Sequence, residues 1–293
     1  MTDEYFPPRQ KSLILNGLAA FVLVLLILGM LIIGSMTRQN TLAILLMAAG
    51  ILLLLPLFLV IYRIFVVLST VYLLSRDALE ISWGLRRELL PIGQIDWVNP
   101  VSEFETQLPL GVTFLKSAYY GEKRINGLGQ TLFVATSPEQ MVLIKRGNQY
   151  LVISPENARI FCERFDQINQ LGSLKQFEPE SENLTMLWQR VWADRWAKRM
   201  LIAGIISLAL LLIAAMTIGL SREQIVWVSM ERVPASRALL LALIGTLFGL
   251  INTFVGLLLY LQDRVAANVR NLIWGWTILV NAIFTIALIL MAV

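Results

Sequence analysis

Five apolar runs divide the chain at residues 13–33, 41–62, 201–220, 238–261 and 272–293. Each is about the 20 residues needed to cross ~30 Å of hydrocarbon, so each predicts a membrane-spanning helix. Between the second and third, from 72 to 171, the pattern changes. Ala78, Glu80 and Ser82 alternate with Leu79, Ile81 and Trp83, a period of two that predicts a half-buried strand. Gly84 turns the chain and 87–92 runs back, while Ile95, Trp97 and Val98 make a short strand stopped by Asn99–Pro100. Residues 131–136, 141–145 and 150–153 read as three more strands, the last two joined across Gly147–Asn148. Just upstream, Val66, Val67, Thr70, Val71 and Tyr72 are β-branched or aromatic, which favours a strand and places the end of the second crossing at Arg63. Arg63 would snorkel there, and Pro56 would kink the helix.

Ser154–Pro155–Glu156–Asn157 predicts a helix start, with Ser154 as cap and Pro155 in the first helical position. Ile160, Phe161, Phe165, Ile168 and Leu171 then recur at helical spacing. After an acidic linker, Leu184, Trp188, Trp192 and Trp196 fall four residues apart, with Arg190, Arg195, Lys198 and Arg199 at other angles. Such a helix belongs in the headgroup layer before turning into the membrane; the alternative is that its indoles pack on the β domain. In the loop 221–236, the portion 225–230 is apolar enough to dip into the bilayer surface.

Composition supports this picture. Hydrophobic residues make up 57% and charged residues 15% of the 293, with a net charge of +4. Residues 76–166 hold ten Lys or Arg against eleven Asp or Glu, so the basic excess lies beside the apolar runs. A nucleic-acid-binding surface is therefore not expected. By the positive-inside rule, Arg9, Lys11, Arg63, Arg195, Lys198, Arg199, Arg264 and Arg270 share the cytoplasmic side. Arg38, Arg222, Arg232 and Arg237 lie outside, the last three beside Glu223 and Glu231. The N-terminus and the insert are then inside and the C-terminus outside, in a cell membrane.

There is no histidine and one cysteine, Cys162. This removes imidazole acid–base pairs, HExxH zinc sites and internal disulfides. The apolar runs hold no Asp or Glu, unlike ion-coupled pumps. Gly127–Leu128–Gly129 opens a strand rather than a helix and is no phosphate loop, and Glu103 and Glu105 read as solvated charge. No catalytic residue, metal site or cofactor is expected. Gly245, Gly249, Asn252 and Gly256 share one face of the fourth crossing. This small-residue seam serves packing within the chain or, alternatively, a homo-oligomer interface. Phe114, Lys116, Tyr119, Tyr120, Lys123 and Arg124 form a candidate lipid or partner contact; they also suit a loop closing the domain's own core.

The stretch Leu79–Glu80–Ile81–Ser82–Trp83–Gly84–Leu85–Arg86–Arg87, with Leu90–Pro91–Ile92, resembles the opening strands of bacterial pleckstrin-homology-like (PH-like) domains. Phe133–Val134–Ala135–Thr136, Val142–Leu143–Ile144 and Tyr150 through Asn157 resemble the second half. The resemblance implies a seven-stranded, partly open barrel capped by one helix. Eukaryotic relatives bind phosphoinositides through basic residues of the first hairpin, but only Arg76, beside Asp77, stands there.

The expected fold class is an α+β membrane protein. Five transmembrane α-helices carry a cytoplasmic PH-like β-barrel, capped by one C-terminal helix, between helices 2 and 3. The divisions are a cytoplasmic segment (1–12), a transmembrane hairpin (13–63), the β domain (64–171), an acidic linker with the interfacial tryptophan helix (172–200), and three crossings (201–293). The expected function is a non-enzymatic interaction or scaffold module at the inner leaflet, in contact with membrane lipids and an unidentified protein partner. The alternative is a subunit of a transport or export complex with the domain as its regulatory docking site.

Overall fold

Residues 2–37, 39–103, 118–125, 128–172, 180–182, 184–227, 231–261 and 267–292 are described by the computed structural model. They form β1 (Asp3–Tyr5), α1 (Gln10–Met36), α2 (Asn40–Ser69), β2 (Val71–Leu74), β3 (Ala78–Trp83), β4 (Arg86–Pro91), β5 (Trp97–Pro100), β6 (Tyr119–Ile125), β7 (Gly129–Ala135), β8 (Val142–Arg146), β9 (Gln149–Ile153) and α3 (Ala158–Leu171). There follow β10 (Glu180–Glu182), α4 (Leu184–Ala193), α5 (Arg195–Ser221), β11 (Gln224–Val226), β12 (Arg232–Pro234), α6 (Ala238–Leu261) and α7 (Ala267–Ala292). Five helices among the described residues, α1, α2, α5, α6 and α7, are long and apolar enough to cross a membrane. Helix is the form a chain takes where no water can satisfy its backbone. The chain separates into two compact units, Met1–Ala19 with Val60–Leu184, and Ala20–Leu59 with Thr185–Val293.

In the first unit the described strands make two five-stranded sheets. One has the order β1-β2-β3-β4-β10, antiparallel throughout. Leu79, Ile81 and Trp83 are buried and Glu80 and Ser82 half-buried, as the alternation of β3 requires. The other sheet has the order β5-β8-β9-β7-β6, with β7 and β9 parallel and the other pairs antiparallel. Val142, Leu143 and Ile144 of β8, and Leu151, Val152 and Ile153 of β9, are buried on both faces. Such strands read as unbroken apolar runs rather than alternations. One face packs with the first sheet and α3, through Tyr72, Ile81, Ile144, Ile153, Phe161 and Phe165. The opposite face holds a smaller core of Tyr119, Ile125, Phe133, Met141 and Val152.

The departures from expectation lie mostly at element ends. Helix α2 does not stop at Arg63 but runs to Ser69. Val66 and Val67, expected in a strand, are helical and buried, Val66 in the main core. β-Propensity is context-dependent, and here burial of two valines outweighs it. Gly84 permits the approach: its φ is +57°, and a Cβ there would lie 2.8 Å from Val66 Cγ2. Ser154 is not the helix cap. Helix α3 starts at Ala158, capped by Asn157, whose Oδ1 accepts from Ile160 N at 3.1 Å. Ser154 is buried instead, its Oγ accepting from Thr136 N at 2.8 Å. The buried stripe of α3 is Phe161, Cys162, Phe165 and Ile168, whereas Ile160 and Leu171 are exposed.

Both segments flanking the domain also contribute strands. The N-terminal segment supplies β1, which pairs with β2 in the register Asp3↔Leu74 to Tyr5↔Tyr72. Arg164 Nε donates to Asp3 Oδ2 at 2.7 Å, and the Tyr5 ring meets Phe161 edge-on at 5.0 Å between centroids. The acidic linker supplies β10, paired with β4 through Glu180↔Leu89 and Glu182↔Arg87. Where a seven-stranded barrel was expected, the described residues of the domain place eight strands, β2 to β9, in two sheets, extended at the first sheet's edges by β1 and β10.

The second unit is helical. Met47 of α2, Leu211 and Ala215 of α5, Leu239 and Ala242 of α6, and Leu288 of α7 share a core. Its loop 221–236 is a two-stranded ribbon, β11 with β12, whose Ile225 and Val233 bury in that same core. Ile225 is thus a packing residue of the helical unit, and 228–230 of the apolar portion lie outside the described residues. Asn40 Nδ2 donates to Gly219 O at 2.6 Å and Arg222 O at 3.0 Å, satisfying carbonyls at the end of α5.

Candidate functional site

Of the six aromatic and basic residues read as a contact patch, the four that are described divide between the interior and the surface. Phe114 and Lys116 lie outside the described residues. Tyr119 and Tyr120 are on β6, where alternation sends them to opposite faces, Tyr119 buried and Tyr120 half-buried. Tyr119 joins the smaller core, and Tyr120 packs against the main one with its Oη 2.9 Å from Thr70 Oγ1. Lys123 and Arg124 are exposed, next to Glu122, which accepts from Gln130 Nε2 at 2.6 Å. Burial pushes the Tyr120 phenol up to about 12, opposed by the Thr70 hydrogen bond and by the charges of Arg9 and Arg63. Burial pushes Tyr72 higher still; its Oη donates to Val134 O at 2.7 Å and accepts from Ser154 N at 3.3 Å. These tyrosines are internal struts between the end of α2 and the two sheets.

Arg76, the cation of the first hairpin, is committed elsewhere. Its Nε donates to Gly172 O and its Nη2 to Leu171 O, each at 3.0 Å, so it closes the C-terminus of α3. A phosphate on this hairpin would have to compete with those carbonyls.

The tryptophan helix is two helices. Its break is at Asp194, whose Oδ1 accepts from Trp196 N at 2.9 Å and Ala197 N at 3.3 Å, capping α5. Tyr260 Oη donates to the other carboxylate oxygen at 2.5 Å. Arg195, Trp196, Lys198 and Arg199 therefore stand on the first turns of the long helix α5. Trp188 and Trp192 remain on α4, stacked at 4.9 Å. Lys198 Nζ lies 5.4 Å over the Trp192 ring and the Arg199 guanidinium 5.8 Å over the Trp196 ring. All three indoles are about half exposed. Half-exposed indoles beside cations at the start of an apolar helix match the chemistry of a headgroup layer. Asp194 was passed over in the sequence; its signal was a lone acid among basic residues just before a long helix.

The small-residue face of α6 meets its own chain. A Cβ on Gly245 would lie 2.6 Å from Leu211 Cδ2 of α5 and 2.7 Å from Asn281 Oδ1 of α7. Asn252 Nδ2 donates to Thr277 Oγ1 at 3.2 Å, Gly249 lies against Thr277, and Gly256 lies against the Trp274 indole. Trp274 in turn stacks on Tyr260 at 5.5 Å. The described contacts of the seam are those of an internal joint of α5, α6 and α7.

The deciding feature of the insert is the order of its described strands, two sheets that share a core with one C-terminal helix. Residues 70–169 match the bacterial PH domain family. No curated protein and no solved structure matches the chain. The matched range covers β2 through most of α3 and leaves out β1, β10 and the other helices of the chain. The PH domain is thus completed by strands from outside the family's own span. Among the described residues no group of three or more Cys, Asp or Glu is placed to hold a metal.

Proposed function

We propose that this chain is a multi-pass membrane protein whose PH domain is a non-enzymatic interaction or scaffold module on the cytoplasmic face. One observation carries the reading: the PH domain is joined at both ends to helices apolar enough to cross a membrane. On the entry side only Thr70 separates α2 from β2. On the exit side α4 and the start of α5 present indoles and cations suited to the headgroup layer. The placing of basic residues beside the PH domain supports the cytoplasmic side. Such an anchor tethers the domain to the membrane and raises its effective concentration toward anything else in that plane.

The test is photo-crosslinking in native membranes from an exposed PH-domain position, Gln149 or Arg124, in the full chain. The reading expects a recurrent protein adduct from these positions that is not formed by a probe placed outside the domain at Glu223. Absence of any protein adduct from several exposed positions, together with an unaltered phenotype on deletion of 70–169, contradicts it.

A further inference from the structure

A cavity of about 530 Å³ opens in the PH-domain unit between the segment Phe6–Lys11 and the turn that follows β7. Its walls are joined by two hydrogen bonds to main-chain carbonyls: Thr136 Oγ1 donates to Pro8 O at 2.8 Å, and Glu156 N donates to Phe6 O at 2.9 Å. Two cations and two carboxylates line it, Arg9 and Lys11 with Glu139 and Glu156. Arg9 lies over the Phe6 ring at 4.8 Å, and its Nη2 donates to Thr70 O at 2.7 Å. Its Nε is shielded from solvent with no hydrogen-bond partner among the described residues. Lys11 and Glu139 pair at 3.2 Å with side chains 83% and 72% exposed, a contact worth very little in water. The hollow therefore carries both signs of charge, compensated within it only by that one exposed pair. Lys11 is also two residues from Leu13, where the uncharged run of α1 begins.

We propose that this cavity takes the headgroup of an amine-bearing zwitterionic phospholipid. Its phosphate lies toward Arg9 and Lys11 and its ammonium toward Glu139 and Glu156. A purely anionic headgroup would meet two carboxylates, and a simple cation would meet Arg9; one molecule with both charges satisfies each side through charge-assisted bonds. The volume is in the range of small-ligand sites, and the first turn of α1, which has no acidic residue, favours a phosphate electrostatically. A soluble aminoalkyl phosphate has the same chemistry. The lipid is the source proposed because the charges stand where α1 turns apolar. The proposal rests on α1 entering a bilayer, but not on the scaffold reading above.

The test uses the purified full chain in detergent, stripped of lipid, with binding of short-chain phosphatidylethanolamine, phosphatidylglycerol and free phosphoethanolamine read by native mass spectrometry. The parent is expected to prefer phosphatidylethanolamine over phosphatidylglycerol by about tenfold, one charge-assisted contact's worth. Glu139→Gln with Glu156→Gln should abolish or reverse that preference, and Lys11→Gln should weaken both lipids. These side chains are exposed, so the variants test the site without the risk of misfolding that Arg9→Gln carries through Thr70. Equal or better binding of phosphatidylglycerol by the parent overturns the proposal, as does a preference unmoved by the carboxylate variants. Free phosphoethanolamine should bind more weakly than the lipid; equal affinity would assign a soluble ligand and overturn the lipid source. Solubilised protein reads the cavity alone, so failure here leaves the scaffold test unaffected.

Discussion

Gly249 and Gly256 lie two turns apart on α6 and carry different constraints. A Cβ at Gly249 would make an ordinary 3.4 Å contact with Thr277 Cγ2, whereas one at Gly256 would enter the Trp274 indole, which also stacks on Tyr260. Gly256→Ala should therefore destabilise the helical unit by about 1–3 kcal/mol, the usual range for overpacking. Gly249→Ala should be neutral or slightly stabilising, since alanine is the better helix former by about 1 kcal/mol. Unfolding of the two variants in mixed micelles distinguishes them. In the PH domain the corresponding residues are Tyr72 and Tyr120. Both have folded-state pKa values raised by burial, Tyr120 to about 12. The neutral phenol is thus favoured in the folded state. Its contribution is complete below the unfolded tyrosine value of about 10 and is lost as pH rises from there through the folded value. Ultraviolet titration should show these two phenolates forming late, together with loss of sheet signal. Tyr120→Phe should remove one late phenolate and cost about 1 kcal/mol for the Thr70 hydrogen bond. Tyr120 was legible as an aromatic near basic residues. Its inward direction was not, because that depends on which face of β6 meets the end of α2.

At the scale of elements, the apolar runs and the alternating strands were readable because solvent dictates both patterns. The four strands that begin with Ala78, Gly129, Val142 and Gln149 stand close to where their sequence patterns put them. β1 was not readable. Asp3–Glu4–Tyr5 has no pattern of its own, and it is a strand because β2, some seventy residues on, offers an open edge. The end of α2 was misread for the reverse reason: β-branched residues suited to a strand pack well on a helix beneath a sheet. Three predictions belong here. Tyr5→Ala should loosen β1 and cost about 1–3 kcal/mol, through loss of the edge contact with Phe161. Arg164→Ala, which removes a partly exposed ion pair with Asp3, should leave stability nearly unchanged. Hydrogen exchange along β2 reports both, with faster exchange in the first variant. Asp194→Ala removes the α5 cap and the Tyr260 bond together, and should cost about 1–2 kcal/mol in the helical unit. Its expected signature is a change in fluorescence of the neighbouring tryptophans in purified protein. An unaltered stability and spectrum would mean that the α4–α5 break is held by something other than Asp194.

For the whole molecule, the account depends on the PH domain leaving the bilayer after α2 on one side and the chain returning to it at α5. The chain has one cysteine, Cys162, buried in the domain core, so single introduced thiols give clean labelling. The direct measurement is labelling of Gln149→Cys, at the exposed tip of the β8–β9 hairpin, by a membrane-impermeant maleimide in intact cells, with Glu223→Cys in parallel. The account predicts that Glu223→Cys reacts in intact cells and that Gln149→Cys reacts only after permeabilisation. Reaction of Gln149→Cys from outside intact cells would contradict it.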